Sequence, residues 1–141
     1  MINSRSLEDL IPEVKVKAKA LIEAAAKEGI ALTVTSTYRD FAKQAELYSQ
    51  GRVNKTLPVV TNSKAGESWH NWRRAFDVVP VKNGTAIWND NGLWKRIGIL
   101  GELQGLTWGG NFKNFPDRPH FQYTEGQNVK DLLAKYPNGL P

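Results

Sequence analysis

The sequence predicts an α+β fold, with about four helices packed around a small, mainly antiparallel sheet. Three observations lead there. Stretches with helical apolar spacing are separated by short β-branched or aromatic runs. The elements follow in the order helix, strand, helix, loop, strands, helix, strands, helix. Asn83-Gly84 is a two-residue hairpin signal that joins neighbouring strands antiparallel. The 141 residues suit one compact domain with one core. The expectation is a single domain over 1–141, with no repeat, linker or separate wall-binding domain.

Residues 1–11 read as an extended arm with a short turn capped by Ser6. Pro12 fits the first position of a helix, because its fixed φ and missing N–H cost nothing there. Val14, Ala18, Leu21, Ile22 and Ala25 make one apolar stripe, and Gly29 stops the helix. The run 30–35 alternates and is β-branched, so it reads as a strand delivering Ser36-Thr37-Tyr38-Arg39. Asp40 is an N-cap for a helix over 41–50, closed by Gly51. Residues 52–67 have no periodicity and form a long loop.

Residues 74–81 read as a strand that loses its ladder at Pro80. The hairpin returns through Thr85 to Trp88. A helix follows from about Asn91 to Gln104, with Leu93, Trp94, Ile97, Leu100 and Leu103 inward. Leu106 to Trp108 is a short strand, broken by Gly109-Gly110. A polar, aromatic loop over 111–118 leads to a strand from His120 to Thr124. Thr124 with Gln127 reads as a capping box for a last helix carrying Val129, Leu132, Leu133 and Tyr136, stopped by Pro137.

Composition limits the chemistry. Cysteine is absent, which removes disulfides, thiolate nucleophiles and cysteine-ligated zinc. A metal has to be held by His, Asp or Glu. No apolar run reaches the length of a membrane span, and no charged leader precedes a hydrophobic stretch. The expectation is a protein without membrane insertion or export signal, made in the cytoplasm. A net charge of +5 favours a polyanionic partner. The richest basic patch, Lys15 to Lys27, alternates with apolar residues and reads first as a solvated helix face. No nucleic-acid recognition motif accompanies the charge.

The chemistry concentrates on Glu67 to Asp77. His70, one of only two histidines, stands seven residues before Asp77. The other, His120, follows Asp117-Arg118-Pro119. Strand periodicity puts Ala75 and Asp77 on one face, opposite Phe76, and sets His120 with Gln122 opposite Phe121. If those strands are neighbours, Asp77 and His120 converge, and His70 reaches them from the preceding loop. Two imidazoles and one carboxylate with an open position suit catalytic zinc. Asp117 is placed to take a proton from an attacking water, and Arg39 to stabilise an oxyanion.

Each residue also has a plain structural reading. A single His is more often structural or solvent-exposed. Asp77 can be an ordinary strand-face residue, Asp117 the start of a turn, and Arg39 a partner for Asp40 or Glu46. The tryptophans are more often core or cleft lining than sugar platforms. The set taken jointly is harder to explain this way. An iron facial triad uses the same ligand types, but its His and Asp usually stand two residues apart.

In this order the residues resemble the zinc peptidases of the VanX/VanY type and their relatives among phage endolysins, the L-alanyl-D-glutamate endopeptidases. The signatures are Ser68-x-His70 followed by Asp77, the segment Asp117-Arg118-Pro119-His120, and the turn Ser36-Thr37-Tyr38-Arg39. Gln44, Leu47-Tyr48 and Trp108-Gly109-Gly110 also match. The resemblance covers roughly residues 12–124. It implies Zn2+ on His70, Asp77 and His120, with Asp117 as general base and acid. Arg39 would stabilise the transition state, and Ser68, Tyr38 and Gln44 would position substrate or site. It implies the fold shared with the Hedgehog signalling domain, and a monomeric endolysin that acts on bacterial peptidoglycan at L-Ala-D-Glu.

Two alternatives stay open: a D-alanyl-D-alanine carboxypeptidase or dipeptidase with the same centre, and a non-catalytic zinc-containing wall-binding module. Arg73 and Thr37 stand where the family usually has glycine. Arg73 is expected to alter the backbone or the cleft mouth.

Overall fold

The computed structural model describes all 141 residues, Met1 to Pro141. Its elements are α1 (Pro12–Lys27), β1 (Ala31–Ser36), α2 (Phe41–Ser49), β2 (Ala75–Lys82), β3 (Thr85–Ala86), α3 (Asn91–Leu103), β4 (Thr107–Trp108), β5 (His120–Gln122) and α4 (Val129–Lys135). The sheet runs β1-β2-β5-β4, with β3 also on β2. Every pairing is antiparallel. The predicted α+β class and its helix and strand order hold. No helix is long and apolar enough to cross a membrane.

Local signals set most boundaries. Pro12 opens α1, Asp40 accepts from the Lys43 N–H to cap α2, and Asn83-Gly84 turns the hairpin with both φ values positive. The core lies between the sheet and the pair α1 and α3. Val14, Ala18, Leu21 and Ala25 of α1 meet Trp94, Ile97 and Leu100 of α3, over Phe76, Val78 and Phe121 of the sheet. Phe76 and Phe121 stack with ring centroids 5.7 Å apart. Gly98 and Gly101 let α3 lie directly on the Trp108 and Phe121 rings, where any Cβ would collide. The opposite face of β2 and β5 carries Asp77 and His120, which are register partners.

Four expectations need correction. β2 does not fail at Pro80 but continues to Lys82, with Pro80 opposite Leu32 and fully buried. The Pro80 carbonyl accepts from the Ile87 N–H (2.8 Å), so the missing donor points at the end of the short β3 rather than into the β1 ladder. The returning strand stops at Ala86, leaving Trp88 half exposed. Leu103 faces solvent at 72% exposure, because it sits at the last turn of α3, past the core. Thr124 and Gln127 form a turn through Glu125 and Gly126, both at positive φ. The α4 cap is Asn128, which accepts from the Asp131 N–H (2.9 Å).

The amino-terminal arm adds a feature that pattern reading did not supply. Ser4 pairs with the segment after β1: its N–H donates to the Tyr38 carbonyl and its carbonyl accepts from the Thr37 N–H, each at 2.8 Å. The Ile2 N–H donates to Asp40 Oδ2 (2.8 Å). The arm therefore runs along the back of the segment that carries Thr37 and Arg39.

Candidate metal centre and cleft

His70 sits in a 3-10 turn, Trp69–Trp72, whose start is fixed from both sides. The Ser68 hydroxyl accepts from the His70 N–H (3.3 Å), and Asn71 Oδ1 accepts from the Ser68 N–H (3.4 Å). This is a capping box. Asn71 Nδ2 also donates to the Arg39 carbonyl (2.8 Å), and the Arg39 N–H donates to the His70 carbonyl (3.1 Å). The histidine turn and the Thr37–Arg39 segment thus hold each other.

Each imidazole has one nitrogen committed. His70 Nδ1 is 2.8 Å from the Thr37 carbonyl, which only accepts, so Nδ1 carries the proton and Nε2 presents a lone pair. His120 Nε2 is 2.7 Å from Gln122 Oε1, which leaves Nδ1 as the free face. Asp77 and His120 are direct partners across the β2–β5 ladder. His70 Nε2 and His120 Nδ1 both lie 3.3 Å from Asp77 Oδ1. That oxygen is buried and has no hydrogen-bond partner.

The donor set fits a cation. One ligand atom from each of His70, Asp77 and His120 lies within 4.8 Å of the others. Three electron-rich atoms turned inward on a buried point are costly unless something positive lies between them. Two imidazoles and a carboxylate, with the far imidazole nitrogens held by a carbonyl and an amide oxygen, match a zinc shell with its supporting contacts. Burial works to raise the Asp77 carboxyl, but the two histidines outweigh it and hold it far below the usual range. Burial works to lower His120, and Asp77 more than compensates, so its net shift is upward.

Asp117 stands beside this centre without joining it. Its side chain is 54% exposed, and Oδ2 is 3.9 Å from His120 Nδ1. Burial and the Asp77 charge push its carboxyl upward against His120, His70 and Arg39, the direction a proton acceptor needs. Its N–H donates to the Gly109 carbonyl (2.8 Å), and its carbonyl accepts from the His120 N–H (3.2 Å). A Cβ on Gly109 would strike the Asp117 carbonyl and stand 3.0 Å from His120 Cβ, so only glycine permits this crossing.

Arg39 pairs with neither Asp40 nor Glu46. Nη1 donates to Gln44 Oε1 (3.0 Å) and Nη2 to the Ser36 hydroxyl (3.4 Å), while Nε is buried without a partner. Burial lowers its pKa against the pull of Asp77 and Asp117. A guanidinium stays charged even so. Gln44 is fully buried and donates to the Ser63 carbonyl (2.8 Å), so it orients Arg39 and anchors the neighbouring loop. Tyr38 does not line the cleft. It is buried, with the Arg73 guanidinium 3.9 Å from its ring centroid.

Arg73 keeps the backbone that glycine would have, at φ 59° and ψ 28°, and closes the His70 turn. Its side chain points away from the cleft mouth and donates to the Asp9 carbonyl (2.9 Å). Ala75 is fully buried and lies off the cleft. Thr37, Asn71 and Gln122 are supporting residues whose roles sequence reasoning missed. For Gln122 a signal existed, since it lies two residues from His120 on the same strand face.

These residues line one open cleft of about 610 Å3. Arg39, Ser68, Trp69, His70, Asp77, Asp117, His120 and Gln122 form its floor and one side, and Val60, Thr61, Ser63 and Phe112 its rim.

Comparison with known proteins bears on this arrangement. The profile of the family described as D-alanyl-D-alanine carboxypeptidase matches residues 61–123, which include His70, Asp77, His120 and Asp117. The chain is 41% identical over 123 residues to the peptidoglycan L-alanyl-D-glutamate endopeptidase CwlK of Bacillus subtilis (strain 168), covering 81% of this chain and 73% of that protein. It is 28% identical over 139 residues to the L-alanyl-D-glutamate peptidase of Listeria phage A118, spanning 94% of this chain but 45% of the phage protein.

Among solved structures, the Serratia marcescens L-Ala D-Glu endopeptidase ChiX superposes with TM-score 0.64 at 21% identity, over 96% of this chain and 92% of the other. A mutant of the D,D-pentapeptidase VanY in complex with Zn(II) gives 0.63 at 15% identity, over 88% and 83%. The structural likenesses establish a shared fold.

Proposed function

The chain belongs to the VanY-like peptidase family, close to the endolysin L-alanyl-D-glutamate peptidases, and on that premise we propose that it is a zinc-dependent peptidoglycan hydrolase cutting the stem peptide between L-Ala and D-Glu. The observation that carries the metal assignment is the unpartnered Asp77 Oδ1, faced by one free nitrogen from each histidine. The bond assignment is supported by the CwlK relationship at 41% identity.

His70, Asp77 and His120 would hold the zinc. When bound, it supplies Lewis acidity to the scissile carbonyl and to the attacking water. Asp117 takes the proton that water loses as its oxygen bonds to the carbonyl carbon. It then hands that proton to the departing D-Glu nitrogen as the C–N bond breaks. Arg39, held by Gln44 and Ser36, offsets the negative charge that builds on the former carbonyl oxygen. Ser68 keeps the His70 turn in place.

Digestion of purified peptidoglycan followed by identification of the new termini tests the assignment. New L-Ala carboxyl and D-Glu amino ends are expected. Free D-Ala without them would reassign the chain to the carboxypeptidase reading that the family profile also supports. Metal analysis should find about one zinc per chain, and iron with oxygen-dependent activity would overturn the zinc assignment. We further propose that the protein acts as a monomer, drawn to the anionic wall by its net charge of +5. Lysis should then weaken between low salt and roughly 0.5 M.

A further inference from the structure

A second groove of about 760 Å3 opens from the rim of the cleft. One wall is Val59 to Ser63, and the other is Phe112, Phe115 and Pro116. Asp117 stands at the junction of groove and cleft, lining both.

Its surface is unusual for an unpartnered loop. Phe115 is 71% exposed, and Val59 and Val60 are each 53% exposed. The valine wall is nevertheless fixed from behind. Arg52 donates to the Thr61 carbonyl (2.9 Å) and to Asn62 Oδ1 (3.0 Å), and Gln44 holds the Ser63 carbonyl. The Thr61 and Ser63 carbonyls and Asn62 Oδ1 are thus spent on anchoring, and the apolar side chains are offered to the groove on a preorganised support.

Charge determines which part of the substrate fits. The groove is lined by no cation, and its only ionisable group is Asp117. Arg39 lines the cleft but not the groove. In the substrate proposed above, the D-Glu side of the scissile bond carries a free carboxylate. The L-Ala side is neutral: a methyl group, an amide to a lactyl ether, and an N-acetylated sugar ring. An anion finds a cation only in the cleft, at Arg39, although the cleft also holds Glu67, Asp77 and Asp117; in the groove it meets Asp117 alone. The neutral side suits a slot with an aromatic ring, two valines, the Thr61 O–H and the Asn62 Nδ2 amide, which stay available as donors.

We propose that this groove binds the N-acetylated amino sugar that bears the stem peptide, with the sugar against Phe115, so that the enzyme reads the glycan side of the bond as well as the peptide. The inference rests on the L-Ala-D-Glu reading, and the test separates the two.

Cleavage is compared for a free stem peptide and for the same peptide attached to N-acetylmuramic acid, with the wild type, Phe115→Ala and Phe115→Trp. The wild type should prefer the sugar-bearing substrate in kcat/KM. Phe115→Ala should cut that preference about fivefold to tenfold, mainly through KM, and Phe115→Trp should keep it. Equal kcat/KM for both substrates in the wild type, or an equal fall on both in Phe115→Ala, would overturn the proposal. In parallel, N-acetylmuramoyl-L-alanine is titrated into the zinc-loaded protein and followed by NMR, which needs no turnover. Perturbation centred on Val59, Val60 and Phe115 supports the groove even if the scissile bond proves to be another one. Perturbation confined elsewhere, or none at millimolar fragment, sinks it.

Discussion

The floor of the cleft and its rim are built on opposite terms. On the floor, His120 and Asp77 face each other across a ladder, and the far nitrogen of each histidine is hydrogen-bonded. Asp77 is the one member with an unpartnered buried oxygen. At the rim and in the groove beyond it, Val60, Val59 and Phe115 are exposed apolar groups on loops, next to Thr61 and Ser63 carbonyls tied off from behind. The difference separates two tasks. Chemistry needs positions held to a fraction of an ångström, which paired strands provide. Recognition needs surface, which loops provide.

Substitutions should follow that division, with the largest effects on the floor. Asp77→Ala removes the one anionic ligand and should abolish zinc retention and lysis together, read by metal analysis and turbidity clearing. Zinc bound normally in that variant would break the comparison at its root. Chelation of the wild type should remove activity reversibly and lower the melting temperature, since a ligand bound only by the folded state stabilises it.

Asp117→Ala should keep zinc but lose about 10²- to 10⁴-fold in kcat, the usual contribution of a general acid–base group. Gln44→Leu tests the layer beneath. It leaves the ligands alone but releases Arg39, and should cost about tenfold in kcat with zinc content unchanged. The same variant should lose about 1–3 kcal/mol of stability, because the Ser63 carbonyl and the guanidinium lose a buried partner.

The smallest effect is expected at Arg73. Arg73→Ala should be less stable than Arg73→Gly by about 1 kcal/mol in denaturant unfolding, because alanine pays for a left-handed backbone that glycine adopts freely. Equal stabilities would mean that the Asp9 and Tyr38 contacts, not the backbone, dominate at this position.

Much of this was legible in the sequence, for local reasons. Pro12, Asp40 and Asn83-Gly84 act within a few residues of themselves, and the structure uses each as its chemistry suggests. The grouping of His70, Asp77 and His120 was legible because period-two alternation places Asp77 and His120 on one sheet face, and the structure brings His70 to them. What stayed hidden depends on distant partners. Pro80 looked like a strand breaker because its tolerance depends on which neighbour its missing N–H would have met. Thr124 and Gln127 have the spacing of a capping box but lose to Asn128, once Glu125 and Gly126 turn the chain. Leu103 fits the helical stripe and faces water because the core ends a turn earlier. Thr37 carries no pattern at all, since its carbonyl meets His70 across 33 residues, and Gln44, suggested by resemblance alone, reaches the Ser63 carbonyl across 19, a loop position known only after folding.

The amino-terminal arm has a practical consequence. The carbonyl that fixes His70 belongs to Thr37, and the Thr37 N–H is held by Ser4. Ile2 in turn reaches Asp40, next to Arg39. Anyone fusing a targeting module or affinity tag to this end is therefore building directly onto the scaffold of His70, although the junction lies outside the cleft. Removing the first four residues should loosen the centre without altering a single residue that faces it.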